Sequence, residues 1–344
     1  MSEEGSVEEE RKDFIITPSR EENYNKALAF IDKAKVVYAT YLVPSPPDPD
    51  RPPQPDVEEY WRRWEERLEA GDLTYWWILS IESEEKFDCL IKRILRILEK
   101  TPEAVSAGRS KLRVILNTDL LPMFNFQVCD ENNAVVGFAV ETDEIDYGFY
   151  TYNRDFVHKL HLFFLKMWAK AIPVIDGKVH YDGIRRIGTK ISIPEETLNE
   201  YIREVESMEK WAYIGRKIEG HIKINPCLRE YILGTPFTIS VEIKNKSSTV
   251  VSIQEIKNIL PDKCSCQVPD TYLRGDKDIV ARPKEGIELY PNRSYEIRLE
   301  CTPTEEGEAI INPEVVLKEI PGRTIQLGGL RLIFRRKKVG TKYR

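Results

Sequence analysis

The sequence has no apolar run as long as the roughly 18 residues that a membrane-spanning helix needs. Its first residues, Met1 to Lys12, are rich in glutamate and lack the apolar core of a signal peptide. The glycine-rich phosphate loop, the dinucleotide fingerprint and the Gly-x-Ser-x-Gly nucleophile motif are also missing. We therefore expect a cytoplasmic protein without a membrane partner, outside the enzyme classes that those motifs mark.

Histidine and cysteine are scarce, with four and six copies in 344 residues. Cys264 and Cys266 are separated by one serine, which is tighter than a zinc knuckle, and no His or Cys pair follows at finger spacing. His158 and His161 share a helix face, but the positions three and four residues beyond His161 are apolar. We expect no metal and no cofactor, and we expect the cysteines to be buried or half-buried thiols.

The charge of the chain is unevenly distributed. A net charge of −6 gives no general affinity for nucleic acid, so we expect no nucleic-acid partner. We expect residues 1–13 to form a disordered acidic tail and residues 337–344 to form a basic tail. Charged residues make up 31% of the chain and glutamine occurs only five times, a composition typical of thermophilic sources.

The sequence pattern of residues 14–172 predicts an α/β domain. Helices and strands alternate three times, and a hairpin, a short strand and a closing helix follow. Such an order requires a mixed sheet with helices on both faces. Ser19 and Ser83 stand where N-caps belong, each with acidic residues just after it. Trp76 and Trp77 are neighbours in a strand and must point to opposite faces.

We expect residues 173–216 to form a helical linker. Its last part is a long amphipathic helix that begins at Pro194. From residue 217 to 336 the pattern becomes all-β, because short strands are separated by Gly, Pro, Asn and Asp with no helix between them. The predicted strands are 237–243, 249–256, 287–290, 295–301, 309–317 and 324–334. This second region therefore predicts a β-sandwich.

The stretch from Met123 to Asp130 reads Met-Phe-Asn-Phe-Gln-Val-Cys-Asp. It resembles the phospholipase D motif His-x-Lys-x4-Asp, with Met123 in the histidine place, Asn125 in the lysine place and only Asp130 retained. Together with the order of elements over residues 20–171, it resembles one half of the phospholipase D fold. In that family the histidine is the nucleophile and the lysine holds the phosphate. The resemblance therefore implies the scaffold without the phosphodiester chemistry.

The segment from Gly148 to Asn153, followed by an aromatic helix, is similar to the Gly-Ser-x-Asn and closing helix of the same family. What carries over residue by residue is Asp130 and, loosely, Asn153. Asp119 follows the third strand, at the edge where α/β sheets place ligands. We expect Asp119, Asn125, Asp130 and Asn153 to form a ligand site, with no catalytic residue.

Two features have simpler interpretations. The acidic stretch 141–146 could hold a divalent cation through oxygen ligands, but it lacks the glycine-punctuated spacing of a calcium loop, and a solvated loop is favoured. Asp130 opens a hairpin connection over residues 130–133, so turn geometry alone can explain it.

The second region resembles an immunoglobulin-like sandwich appended to archaeal cytoplasmic regulatory proteins. The matching stretches run from Leu233 to Asn245 and from Glu305 to Pro313. These residues frame a sandwich and do not form a site. The resemblance implies a binding or spacing module.

These observations predict a non-catalytic cytoplasmic sensor or adaptor. Its degenerate phospholipase D-like domain would bind a small anionic ligand or a protein. Single-copy members of that family commonly complete their site by pairing, so we predict a homodimer through the 120–170 face. The alternatives are a metal-dependent phosphoesterase or nuclease and a structural accessory subunit of a larger complex.

Overall fold

The computed structural model describes residues 14–42, 55–116, 124–138 and 147–337. The chain divides into two compact units, Met1–Glu209 and Lys210–Arg344. None of the helices in the described ranges combines the length and apolarity needed to cross a membrane.

The first unit alternates helices with strands before its hairpin. Its elements are β1 (Ile15–Thr17), α1 (Arg20–Ile31), β2 (Val36–Leu42), α2 (Pro55–Ala70), β3 (Thr74–Ile81), α3 (Glu84–Lys100), α4 (Pro102–Ser106), β4 (Ser110–Leu116), β5 (Phe124–Cys129), β6 (Asn133–Phe138), β7 (Tyr147–Thr151), α5 (Arg154–Lys170), β8 (Ile172–Asp176), α6 (Tyr181–Lys190) and α7 (Glu195–Tyr213). The last of these, α7, crosses the division between the units.

The eight strands form one sheet in the order β1-β7-β6-β5-β2-β3-β4-β8. Strands β2, β3 and β4 are parallel, and every other neighbouring pair is antiparallel. The predicted mixed sheet is therefore confirmed.

Helices pack on both faces of this sheet. The ring of Trp77 lies 4.8 Å from that of Trp64 in α2, whereas the ring of Trp76 lies 4.9 Å from that of Trp168 in α5. The two neighbouring tryptophans therefore point to opposite faces, as the alternation of a strand requires. We call these the α2 face and the α5 face of the sheet.

Serine and asparagine side chains begin three of the helices. Ser19 Oγ accepts a hydrogen bond from the Glu22 amide at 3.2 Å, and Ser83 Oγ accepts one from the Lys86 amide at 3.3 Å. The start of α1 and that of α3 were both predicted from these serines. Each cap satisfies an amide that has no partner inside its helix.

The structure extends the α/β unit beyond residue 172. Strand β8 pairs antiparallel with β4 at the edge of the sheet, although four of its five residues, 173–176, fall in the predicted linker 173–216. It contains Pro173, and an edge strand tolerates a proline because one side of its backbone needs no partner. The division between the compact units falls after Glu209.

The second unit is β-rich, as predicted. Its strands are β9 (Ile218–Asn225), β10 (Tyr231–Ile232), β11 (Phe237–Asn245), β12 (Val251–Lys257), β13 (Cys264–Gln267), β14 (Tyr272–Arg274), β15 (Ile279–Ala281), β16 (Ile287–Leu289), β17 (Ser294–Pro303), β18 (Gly307–Ile311), β19 (Glu314–Leu317), β20 (Thr324–Gln326) and β21 (Leu330–Arg335). They form one sheet of four strands, one of six and one of three, around a common core.

Two predicted strands are each divided in the structure. The stretch 309–317 supplies β18 to the three-stranded sheet and β19 to the six-stranded one, because Pro313 interrupts the ladder. The stretch 324–334 likewise divides into β20 and β21 at Gly328, whose φ of 98° favours glycine.

One pair of cysteines corrects the expectation that all six are thiols. Cys266 in β13 and Cys301 in β17 are register partners on neighbouring strands and form a disulfide. They are 35 residues apart in sequence. Sequence spacing gave no sign of the pairing, because it depends on which strands become neighbours.

Candidate functional site

Asn125 lies on the α2 face of the sheet and is only 5% exposed. The cavity beside it, which Asn23, Tyr60 and Gln127 also line, has a volume of about 20 Å³. This space fits about one water molecule. In this structure Asn125 is therefore almost fully buried in the wall of a small, partly open cavity.

The polar side chains around Asn125 hydrogen-bond to one another. The hydroxyl of Tyr60 lies 2.8 Å from that of Tyr75 and donates to Gln127 Oε1 at 2.8 Å. Gln127 Nε2 donates to the carbonyl of Ala27 at 3.3 Å. These bonds tie α1 and α2 to β3 and β5, so they are a structural network. We refer to Tyr60, Tyr75 and Gln127 as the tyrosine network.

Asp130 anchors the β5–β6 hairpin to the start of β2. Its carboxylate accepts hydrogen bonds from the amides of Lys35 at 2.9 Å and Val36 at 2.8 Å. Its own amide donates to the Val36 carbonyl at 2.9 Å. Asp130 and Glu131 have φ of 49° and 56°, and the Asn132 amide closes the turn on the Cys129 carbonyl. The carboxylate therefore holds backbone in this structure.

Asn153 is the N-cap of α5. Its Oδ1 accepts a hydrogen bond from the Phe156 amide at 3.0 Å. The structure therefore does not bring the described residues of the expected site together: Asn125 and Asp130 lie at opposite ends of β5, and Asn153 caps a helix. Met123, Asp119 and the acidic stretch 141–146 lie outside the described residues.

A different set of side chains forms a line across the α5 face. Tyr38, Trp76, Lys111 and Asp176 are successive register partners on β2, β3, β4 and β8. All four are half-buried. We call them the cross-strand row.

Two cations share a single carboxylate at one end of this row. Lys111 Nζ lies 3.2 Å from Asp176 Oδ1, and Arg113 Nη2 lies 3.3 Å from Asp176 Oδ2. Lys111 also sits 4.6 Å from the centre of the Trp76 ring, and Arg113 sits 4.4 Å from that of Trp168. These side chains are between 22% and 28% exposed. The cluster therefore carries an excess positive charge in a partly desolvated place.

Buried nitrogens along the α5 face lack hydrogen-bond partners among the described residues. They are Trp76 Nε1, Arg113 Nε and His161 Nε2. The first two can only donate. Because buried polar atoms in folded proteins are almost always paired, each unpaired one calls for a water, an ion or a ligand.

His161 marks the other end of the row. Its Nδ1 lies 3.2 Å from Glu131 Oε2, and its ring centre lies 4.4 Å from that of Tyr38. Burial, and then the charges of Glu131 and Asp130, raise the pKa of the Tyr38 hydroxyl. Glu131 orients the imidazole, so Nε2 is the nitrogen left for another partner.

The sequence contained a signal for this site that was missed. Lys111 and Arg113 alternate with apolar residues in Ser-Lys-Leu-Arg-Val-Ile-Leu, so both must lie on one face of the strand. Charged residues at alternate positions of a central strand are rarely buried without a partner.

No protein-family model matches the chain, and no curated protein matches it. Among solved structures, the phosphatidylserine synthase of Haemophilus influenzae has a TM-score of 0.35 and 10% identity, over 58% of this chain and 44% of the synthase. The archaeal chromatin protein TrmBL2 scores 0.30 with 13% identity, over 49% of this chain and 57% of its own length. The human F-spondin reeler domain scores 0.24 with 11% identity, over 34% of this chain and 92% of the domain. These scores are too low to assign either unit to a family.

Proposed function

We propose that the chain is a non-catalytic binding protein whose first unit holds a small anionic ligand at the cross-strand row. The observation that carries this proposal is the sharing of Asp176 by Lys111 and Arg113. One carboxylate neutralises one of the two cations, and the other has no further carboxylate partner among the described residues, in a partly buried place.

An anion at this position would satisfy several needs at once. It would balance the excess charge, and a half-buried setting makes that balance worth more than it would be in open water. Its oxygens would also offer acceptors to Trp76 Nε1 and Arg113 Nε, which have none among the described residues. A ligand with a compact acidic group, such as a phosphate or a carboxylate, fits these donors.

A binding role also agrees with the residues of the phospholipase D-like stretch. Met123 and Asn125 replace the nucleophile and the phosphate-binding lysine of that family, and the Asp130 carboxylate accepts backbone amides. We also propose a fold family for each unit. The first unit would be a phospholipase D-like half, and the second an immunoglobulin-like module that binds or spaces.

Calorimetric titration with inorganic phosphate, sulfate and pyrophosphate tests the proposed ligand class. We expect Lys111→Ala and Arg113→Ala each to weaken binding about tenfold, or about 1.4 kcal/mol. Lys190→Ala, which removes an exposed cation on α6, is the matched control and should leave the affinity unchanged. Equal affinity in all three variants would place the anion elsewhere.

An activity screen separates binding from catalysis. We expect no phosphodiester turnover with Mg²⁺ or Mn²⁺. Turnover that disappears in Asp130→Ala, measured on protein shown to be folded by circular dichroism, would replace the binding proposal by an enzymatic one.

A further inference from the structure

The outward face of α5 differs in charge from the rest of the first unit. Its exposed positions carry four cations and one carboxylate, although the whole chain has a net charge of −6. Those charged residues are Arg154, Asp155, Lys159, Lys166 and Lys170. Leu162 and Leu165 lie among them and are 44% and 38% exposed. We call this surface the basic leucine face.

The cations of this face have no ion pairs among the described residues, whereas those on α2 and α3 have several. Arg62 pairs with Glu59 and Glu66 within α2, and Lys92 pairs with Asp88 within α3. Carboxylates three or four residues away on the same helix supply those partners. On α5 the matching positions of Lys159 and Lys166 hold one acid, Asp155, which is not paired with Lys159.

The two leucines lie outside the buried stripe of α5. That stripe is formed by Val157, Leu160, His161, Phe164, Met167 and Trp168. Leu162 and Leu165 are three residues apart, so they lie side by side on the exposed part of the helix. A single exposed leucine is ordinary, but two neighbours bordered by cations that have no ion pair with another described residue make a surface of mixed apolar and basic character.

We infer that the basic leucine face docks a segment of another protein that combines acidic and apolar side chains. Charge complementarity selects the acids, which would pair with Lys159 and Lys166 at the two sides of the patch. Apolar side chains of the partner would cover Leu162 and Leu165, and their burial supplies affinity that charge alone does not. This inference concerns a protein partner and does not depend on the proposed anion site.

A second copy of this chain fits this face poorly. A two-fold contact would place the same patch of cations against itself, and like charges across an interface oppose association. The chain's own first twelve residues offer five glutamates but only Met1 and Val7 as apolar side chains. They would match the charges of the face and leave the leucines uncovered.

Fluorescence anisotropy on the full-length protein provides the test. The probe is a labelled helical peptide of leucine and glutamate, with leucines at i, i+3, i+4 and i+7, and its control replaces every glutamate by lysine. We expect saturable binding of the acidic peptide only. The double variant Lys159→Glu/Lys166→Glu should weaken this binding by about tenfold or more, and Leu162→Ser/Leu165→Ser should weaken it by a similar factor.

The matched control is Lys33→Glu/Lys190→Glu, which makes the same change in net charge at exposed positions outside α5. It should retain most of the affinity. Because Leu162 and Leu165 are exposed, the serine variant should keep the thermal midpoint of the parent, so a loss of binding would not reflect unfolding. Equal binding of both peptides, or equal losses in the α5 and control variants, would overturn the inference.

Three further outcomes would assign the face to a different occupant. Tighter peptide binding after Glu3, Glu4, Glu8, Glu9 and Glu10 are changed to glutamine would show that the chain's own first residues cover it. A dimer in light scattering that the Lys159→Glu/Lys166→Glu variant abolishes would assign it to a second copy. Binding to phosphatidylserine-containing vesicles or duplex DNA that the same variant abolishes would assign it to a membrane or to nucleic acid.

Discussion

The two faces of the eight-stranded sheet use polar side chains differently. On the α2 face, the hydroxyl of Tyr60 bonds to Tyr75 and Gln127 in an enclosed network. On the α5 face, Lys111 and Arg113 share one carboxylate, and Trp76 Nε1 and Arg113 Nε have no acceptor among the described residues. A satisfied network fixes the position of helices, whereas an unbalanced one has binding capacity left. Trp64 Nε1 on the α2 face also lacks a partner among the described residues, so the carboxylate shared by two cations is the feature that favours the α5 face for the candidate site.

The largest expected loss of stability follows from adding a side-chain carbon at Gly148, on the α2 face. A Cβ at this position would lie 2.0 Å from the Val136 carbonyl oxygen and 2.1 Å from Asn23 Nδ2. The carbonyl belongs to the neighbouring strand and cannot move aside without breaking the ladder. We expect Gly148→Ala to lower the free energy of unfolding by about 3 kcal/mol or more, measured by urea denaturation.

Gly177→Ala is the control for this substitution. Gly177 has a φ of 72°, and an alanine Cβ there would meet no atom within 4 Å, so the change costs only the backbone preference, about 1 kcal/mol. Equal stability of the two alanine variants would contradict the close packing of β6, β7 and α1 around Gly148.

Removing a tyrosine hydroxyl from each face of the sheet compares how much the two faces depend on polar side chains for stability. Tyr60→Phe removes a hydroxyl that bonds to Tyr75 and Gln127, and it leaves Gln127 Oε1 buried without that donor. We expect a loss of about 2 kcal/mol. Tyr38→Phe removes a hydroxyl for which the structure gives no hydrogen bond to another described residue, and we expect a loss below about 0.5 kcal/mol. Equal losses in chemical denaturation would remove the contrast between the faces.

A smaller change in stability should accompany a change in binding at the cross-strand row. Asp176→Asn removes the carboxylate that Lys111 and Arg113 share. Since its side chain is 28% exposed, we expect the free energy of unfolding to change by less than about 1 kcal/mol. Phosphate should bind more tightly, because both cations become available to it. Weaker binding in calorimetry would mean that Asp176 itself contacts the ligand or holds a metal.

Local sequence signals predicted most of the first unit. Ser19 and Ser83 begin helices, and the tryptophan pair in β3 divides between the faces, because caps and alternation depend only on nearby residues. Strand β8 lies almost entirely in the predicted linker, because its place at the edge of the sheet depends on pairing with β4, a strand far from it in the chain. The disulfide between Cys266 and Cys301 was missed because it depends on the register of strands far apart in the chain.

The candidate site was harder to predict than the fold. The family motif points to Asn125 and Asp130, and the structure places Asn125 beside a small cavity and uses Asp130 to hold backbone amides. The cross-strand row draws one residue from each of four strands. No linear spacing connects Tyr38 to Asp176, and only the sheet order places Lys111 between them.

The smallest expected change in stability at neutral pH comes from the thiol of Cys129, which is buried beside Gln127 on the α2 face. Gln127 Nε2 donates to its sulfur at 3.2 Å, and burial raises the pKa of the thiol from its ordinary 9.0 to about 12. A raised pKa means that the folded state holds the proton more tightly than the unfolded state. The stabilisation is therefore complete below pH 9 and is lost as the pH rises from there towards 12.

The difference in unfolding free energy between the parent and Cys129→Ala isolates this thiol. We expect that difference to be flat from pH 7 to 8.5 and to change above pH 9 by up to about 1.4 kcal/mol per pH unit. Iodoacetamide at pH 8 should label the exposed Cys227 and leave Cys129 unmodified in the folded protein. Rapid labelling of Cys129, located by mass spectrometry of the digested protein, would mean that solvent reaches the α2 face. The contrast between an enclosed face and a binding face would then fail.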